Sequence, residues 1–271
     1  MDGRGTMTWM EDIFRVLRGE KPLGSDFSLN EREFILPFNK GSKESTPYEN
    51  IAPTGEAKGS EAGTLWERRK IKGKFSNLLG KVIVLTAQHA RTHADGPVSF
   101  GIPVDIRSRQ EGLRATGNLA MAINVSVAAS STPEEIAENI SKQLREFNDM
   151  KMGKNGILLD FIPLWLMRIV FKKIIARQYK SGHYNVSGLI SNLGRLPLDK
   201  FSGGGFTATS GFFIPPSTEL FPFFLAMSGG VNCIELILSM PKILAGDGRM
   251  DALFDAITNS LQYELTSQKQ A

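Results

Sequence analysis

Three histidines, one cysteine, a glycine triplet and an Asp-Gly dipeptide are the first places to look for chemistry in this 271-residue chain. His89 and His93 stand four apart in an apolar helical pattern, the spacing that puts two imidazoles on one helix face as a metal pair. No third ligand is clear nearby, and the plainer reading is an exposed helix end. His183 precedes a strand and has no recognisable partner. Cys233 lies in an apolar run and reads as packing rather than as a nucleophile. Gly203, Gly204 and Gly205 lack the following helix with Lys-Ser/Thr that a phosphate cradle needs, so they read as a loop. Asp2-Gly3 is a turn dipeptide with a helix behind it and no element in front.

The elements that must position these residues follow from periodicity. Met7, Met10, Ile13, Phe14 and Leu17 form one helical stripe. Thr8 and Glu11 fit a capping box for it, and Gly19 after Arg18 fits its stop. Residues 40–63 are rich in Gly, Ser, Pro, Glu and Lys and read as an exposed loop or linker. A strand over 65–75 ending at Gly73 and a helix over 78–93 come next. The apolar, β-branched runs 98–106 and 119–127 predict a strand pair. Thr132-Pro133-Glu134-Glu135 starts a helix that runs to about 147. Residues 157–178 are helical with an interruption at Pro163. Strands are expected over 184–191 and 205–213. The runs 221–227 and 231–239 read as a hairpin through Ser228-Gly229-Gly230, and 247–261 as a closing amphipathic helix. Strands and helices alternate without a fixed repeat. That pattern predicts an α/β, two-layer sandwich, a mixed sheet covered by helices.

Composition bounds the partners. A chain 41% hydrophobic has ordinary globular character, and at this length it buries roughly three quarters of its surface. The net charge of +4 reads as a solvated surface with a small cationic excess. No run of five like charges points to nucleic acid. One cysteine excludes an internal disulfide and fits a reducing cytosol, and no signal peptide is recognisable. The segment ILLDFIPLWLMRIVFKKIIARQYK is too broken by Asp160, Pro163 and Arg168 to span a bilayer. Two readings stand for it. It lies on an anionic membrane with Lys172, Lys173, Arg177 and Lys180 toward headgroups, or it is a helix pair that covers the sheet and lines an acyl tunnel.

MDGRG running into the first helix resembles the end of the HHxxxDG motif of the chloramphenicol-acetyltransferase-like acyltransferases, the superfamily that includes peptide-synthetase condensation domains. Three later stretches keep the family's order: GIPVDIRSRQEGLRATGNLAMAINV, SGLISNLGRLPL, and FFLAMSGGVNCIELILSMPKILAGDGRMDALFDAITNSL. The run around His89, His93, Asp95 and Gly96 only mimics the motif, since Ala90 and Arg91 stand where its two histidines should be.

The resemblance implies a fragment, with 1–40 as the tail of a first lobe, 41–63 as a loop or linker and 64–271 as the second lobe. Both motif histidines, one of them the general base, would then lie upstream of Met1. It implies that Asp2 and Gly3 belong to the active-site loop and that Asp2 pairs with Arg107, in a bidentate clamp between lobes. Ser191 and Asn192 would face the tunnel and donate to the developing oxyanion or orient the acceptor. Read without the family, Arg107 is equally a strand-end surface arginine, and Ser191-Asn192 a turn in which Asn takes positive φ. The implied reaction is acyl transfer from a coenzyme A or phosphopantetheine carrier-protein thioester to a hydroxyl or amine. No resident cofactor is implied, and this chain alone would be inactive. A separate first-lobe chain or self-association would cover its exposed face. The competing reading is a non-catalytic binding or scaffolding module of the same fold. Its expected location is cytoplasmic.

Overall fold

The structure is a computed structural model, and it describes residues 2–26, 28–38, 42–43, 47–153, 162–216 and 219–268. Six strands form one mixed sheet: β1 Thr64–Lys72, β2 Val98–Asp105, β3 Ala120–Val127, β4 Gly188–Arg195, β5 Phe224–Gly229 and β6 Cys233–Pro241. Their order across the sheet is β1-β6-β5-β4-β2-β3. β5–β4 and β4–β2 are parallel and the other three pairs antiparallel. The helices are α1 Gly3–Leu17, α2 Glu31–Ile35, α3 Leu78–Arg91, α4 Pro133–Arg145, α5 Leu164–Ser181, α6 Lys242–Ala245 and α7 Arg249–Gln268. Ser42–Lys43 and Met152–Gly153 pair separately as a short parallel ladder.

The main core lies between one sheet face and α3, α4 and α7. Val82, Ile83 and Ala87 of α3, Ile136 of α4, and Leu253, Phe254, Ile257 and Leu261 of α7 pack on Phe100, Ile102, Ile190, Leu225, Leu236 and Leu238. Each helix offers residues one, three or four apart, one stripe per helix. α4 starts as its sequence predicts: Glu135 N donates to Thr132 Oγ1 and Thr132 N to Glu135 Oε2, a closed capping box. β6 is buried along its whole length because both faces are covered. β5 and β6 make the expected hairpin, with Asn232 taking the left-handed conformation in its turn. A second, smaller core of Phe34, Ile35, Ile106, Ala115, Leu119 and Met150 lies under the segment joining β2 to β3.

Several expectations change. α1 begins at Gly3 with Asp2 as its cap, while the Thr8 hydroxyl donates back to the Arg4 carbonyl inside the helix. The strand expected over 184–191 forms over Gly188–Arg195, because the Tyr184 backbone exchanges two hydrogen bonds with Asn50 instead of joining the ladder. Residues 205–213 are not a strand. Gly203, Gly204 and Gly205 all have positive φ, which an extended strand does not take. The segment is held by its rings: Phe206 stacks on Phe14 and Phe212 lies under the Arg68 guanidinium. Within the stretch expected as exposed loop, residues 50–54 are buried, and Ile51 and Ala52 join the main core. α5 does not cover the sheet, since Gln178 is its one buried residue. The part of that prediction over 157–161 lies outside the described residues.

Candidate active site

Asp2 stands where α1, β4 and the β2–β3 connection meet. As the N-cap it accepts from Gly5 N through Oδ1 at 2.7 Å. Oδ2 accepts from Arg107 Nη1 at 3.0 Å and from Leu119 N at 2.7 Å. The guanidinium spreads over three further acceptors: Asp105 Oδ1 at 2.7 Å, the Ala115 carbonyl at 2.9 Å and the Gly117 carbonyl at 2.6 Å. The contact with Asp2 is therefore single rather than bidentate, because Nη1 is shared with Asp105. Arg107 is only 7% exposed, so it is not a surface arginine. Asp105, two residues earlier on the same turn, also accepts from Arg107 N and fixes that turn. Both of its oxygens are engaged, so Asp2 ties α1 to the β2–β3 connection.

Two glycines let α1 come this close. A Cβ on Gly5 would lie 2.6 Å from the Thr116 carbonyl oxygen. One on Gly3 would lie 3.0 Å from a methyl group of Leu193. Gly3 is helical here, so it serves close approach and not a tight turn. Arg4 Nη2 donates to the Leu193 carbonyl at 2.8 Å and ties α1 to the end of β4.

Asp2, Gly3, Asp105, Ser191, Asn192 and Phe224 all line one cleft of about 680 Å³. Ser191 is buried on β4, and its hydroxyl has no hydrogen-bond partner among the described residues. Asn192 Oδ1 accepts from Gly194 N at 2.9 Å, which leaves the Asn192 amide group as a donor. The positive φ of this turn falls on Gly194 and not on Asn192, and the β4–β5 ladder shifts register between Asn192 and Arg195. A second recess of about 250 Å³ lies under α1, lined by Met7, Met10, Phe14, Leu196, Phe206 and Phe213. The apolar stripe of α1 thus faces a recess instead of a packed core.

Beside the clamp, Glu11 and Asp12 are paired. Arg114 donates to Glu11 and Asp12 on α1, and Lys200 Nζ donates to Glu11 at 3.0 Å. Burial opposes ionisation of Glu11, but the hydrogen bonds from Lys200 and Arg114 outweigh it and hold its carboxyl below the usual range. Burial, and then the Asp2 charge, push Glu31 up.

The other candidates lie elsewhere. The Nε2 atoms of His89 and His93 are 3.2 Å apart, and the pair is outside the cleft. Burial and then His93 lower the His89 pKa. His183 is exposed, and Cys233 is buried in β6. Among the described residues no group of three or more metal-ligating side chains comes together. Sequence reasoning missed Asp105, Gly5 and Arg114. The Asp-x-Arg spacing in PVDIR was the available signal for Asp105.

No family model and no curated protein matches this sequence. Solved structures do. The first condensation domain of the CDA synthetase superposes with a TM-score of 0.59 at 12% identity, over 96% of this chain and 60% of that one. A mutant starter condensation domain of rhizomide synthetase, in complex with C8-CoA and Leu-SNAC, gives 0.56 at 12% identity, over 97% and 63%. Vinorine synthase gives 0.52 at 17% identity, over 93% and 58%. The chain spans about three fifths of the length of these structures. Its mixed sheet flanked by helices has the fold of the matched part of these condensation domains and of vinorine synthase.

Proposed function

We propose that these 271 residues form the second lobe of an acyltransferase that moves an acyl group from a thioester to a hydroxyl or amine. The observation that carries the reading is the unpartnered Ser191 hydroxyl in the same cleft as the Asp2–Arg107 clamp. In the reaction, the acceptor oxygen or nitrogen forms a bond to the thioester carbonyl carbon and gives its proton to a base. The carbonyl oxygen becomes an oxyanion, to which Ser191 and the Asn192 amide donate. The C–S bond then breaks, and the thiolate leaves and takes up a proton. The apolar recess under α1 offers room for an acyl chain. The C8-CoA in the rhizomide synthetase complex supports coenzyme A as donor, and a phosphopantetheine carrier thioester has the same reacting group.

None of His89, His93 and His183 lines the cleft. The proton acceptor is then supplied by another segment or another chain, either a first lobe or a second copy, in the cytoplasm where such thioesters are made. Without it, a loss of roughly two to four orders of magnitude is expected. The same lack of a base favours a second reading, a module that binds the thioester or scaffolds an assembly without turnover. The test is acyl transfer from octanoyl-CoA to a panel of amines and alcohols, followed by mass spectrometry, with the chain alone and joined to a condensation-type first lobe. The chain alone should be silent and the joined form active, and Ser191→Ala should lower kcat by about 10²–10³. Octanoyl-CoA binding without turnover in the joined form would favour the module. Turnover by the chain alone that disappears in His89→Ala would place the site at the histidine pair.

A further inference from the structure

α5 projects from the body by its N-terminal half. Its C-terminal turns are anchored: Gln178 is buried, and the Tyr179 hydroxyl donates to the Glu219 carbonyl at 3.0 Å. Its first two turns are not. Leu164 is 84% exposed and Trp165 66%, and Leu166, Ile169, Val170 and Phe171 are exposed with them. Large apolar side chains gathered this densely in water mark an interaction surface. The helix also carries Arg168, Lys172, Lys173, Arg177 and Lys180, all exposed, and no acidic residue. None of these five cations is paired with a carboxylate among the described residues.

The arrangement of the two classes identifies what the helix fits. At 100° per residue, Trp165, Leu166, Ile169 and Val170 share one arc of about 160° with Lys172, Lys173, Arg177 and Lys180. Four of the five cations therefore follow the apolar turns along the axis, while Arg168 stands among those turns but outside this arc. The apolar turns, residues 164–171, are about 12 Å long. A helix of this kind matches a layered medium, apolar inside and anionic at its surface, entered obliquely by the N-terminal end. The headgroup and acyl boundary of a bilayer takes up an apolar face to about 5–10 Å. An indole at that boundary is well placed, with its ring in the apolar layer and its N–H toward water. Crossing is a different matter, since among the described residues no helix is long and apolar enough. We propose that α5 docks the protein on an anionic lipid surface, with Trp165, Leu166, Ile169 and Val170 in the acyl boundary and the four cations of the shared arc on the headgroups.

The test is co-sedimentation of the full chain with vesicles of phosphatidylcholine alone or with 30% phosphatidylserine. Binding to the anionic vesicles should be at least about tenfold tighter and should weaken as salt rises. The charge reversal K172E/K173E should remove at least about tenfold of that affinity, and W165S/V170S should remove binding at low and at high salt alike. All four positions are exposed, so the far-UV circular dichroism and the urea midpoint should stay as in the parent chain. Equal binding to both vesicle types, or no effect of K172E/K173E in a folded chain, would overturn the proposal. So would concentration-dependent dimerisation without vesicles that W165S/V170S abolishes, because a second copy would then be the occupant.

Discussion

Arg107 is the residue on which the candidate site depends most. Its guanidinium serves Asp2, Asp105 and two backbone carbonyls while being almost fully buried. Lysine, a point charge on a flexible stem, cannot serve acceptors in this planar arrangement, so Arg107→Lys should not rescue. Arg107→Met strands two carboxylates and two carbonyls, and breaking a buried pair of this sort costs about 3–5 kcal/mol. Urea denaturation should show that loss, and the double variant D2N/R107M should recover part of it. An unchanged midpoint in R107M would mean that the clamp contributes nothing. The pairing of Asp2 with Arg107 was legible through the resemblance, but its geometry was not. Asp105 takes a share of Nη1 because a tight turn follows β2, and residue types alone do not reveal that turn.

At the scale of elements, α1 sets a contest between propensity and space. Glycine in a helix is worth about 1 kcal/mol less than alanine, so Gly3→Ala and Gly5→Ala should both stabilise if only propensity acted. At Gly3 the neighbour is the end of a flexible leucine, which can give way, and G3A should be neutral or mildly stabilising. At Gly5 it is a backbone oxygen 2.6 Å away, so the helix itself must move. Overpacking of this kind costs about 1–3 kcal/mol and outweighs the propensity gain. Thermal melts of the two variants should therefore move in different directions or by clearly different amounts. Equal shifts would show that α1 can slide freely over 116–117. Elements with strong local signals were readable: β2 and β3 from their β-branched runs, α4 from its capping box, the β5–β6 hairpin from its glycines. Residues 205–213 have strand-like composition, but the positive φ of Gly203, Gly204 and Gly205 and two aromatic anchors decide their path. That decision is tertiary and leaves little trace in a single sequence.

For the whole molecule, the two cores differ in what holds them. The main core is a continuous apolar layer between the sheet and α3, α4 and α7. The smaller one, with α1 lying over the connection that covers it, depends on polar ties. Of the α1 residues only Gly5 is buried, and the helix is held by Asp2–Arg107, by Arg114 to Glu11 and Asp12, by Lys200 to Glu11, and by Arg18 to the Ser202 carbonyl. This division was not legible beforehand, since the parallel junction β5–β4–β2 depends on long crossovers that periodicity does not reveal. Partly exposed ion pairs contribute little each and weaken with salt, whereas apolar burial does not. Native-state hydrogen exchange should therefore show two tiers. Amides of α1 and of 106–119 should open together at a free energy below that of β5 and β6, and added salt should lower it further. R107M should collapse that first tier and leave the opening of β5 and β6 governed by global unfolding alone. If α1 and β5 opened at the same free energy in the parent chain, or if salt left α1 unaffected, the clamp would be part of one cooperative unit. The cleft beside Ser191 would then be as rigid as the sheet that carries it.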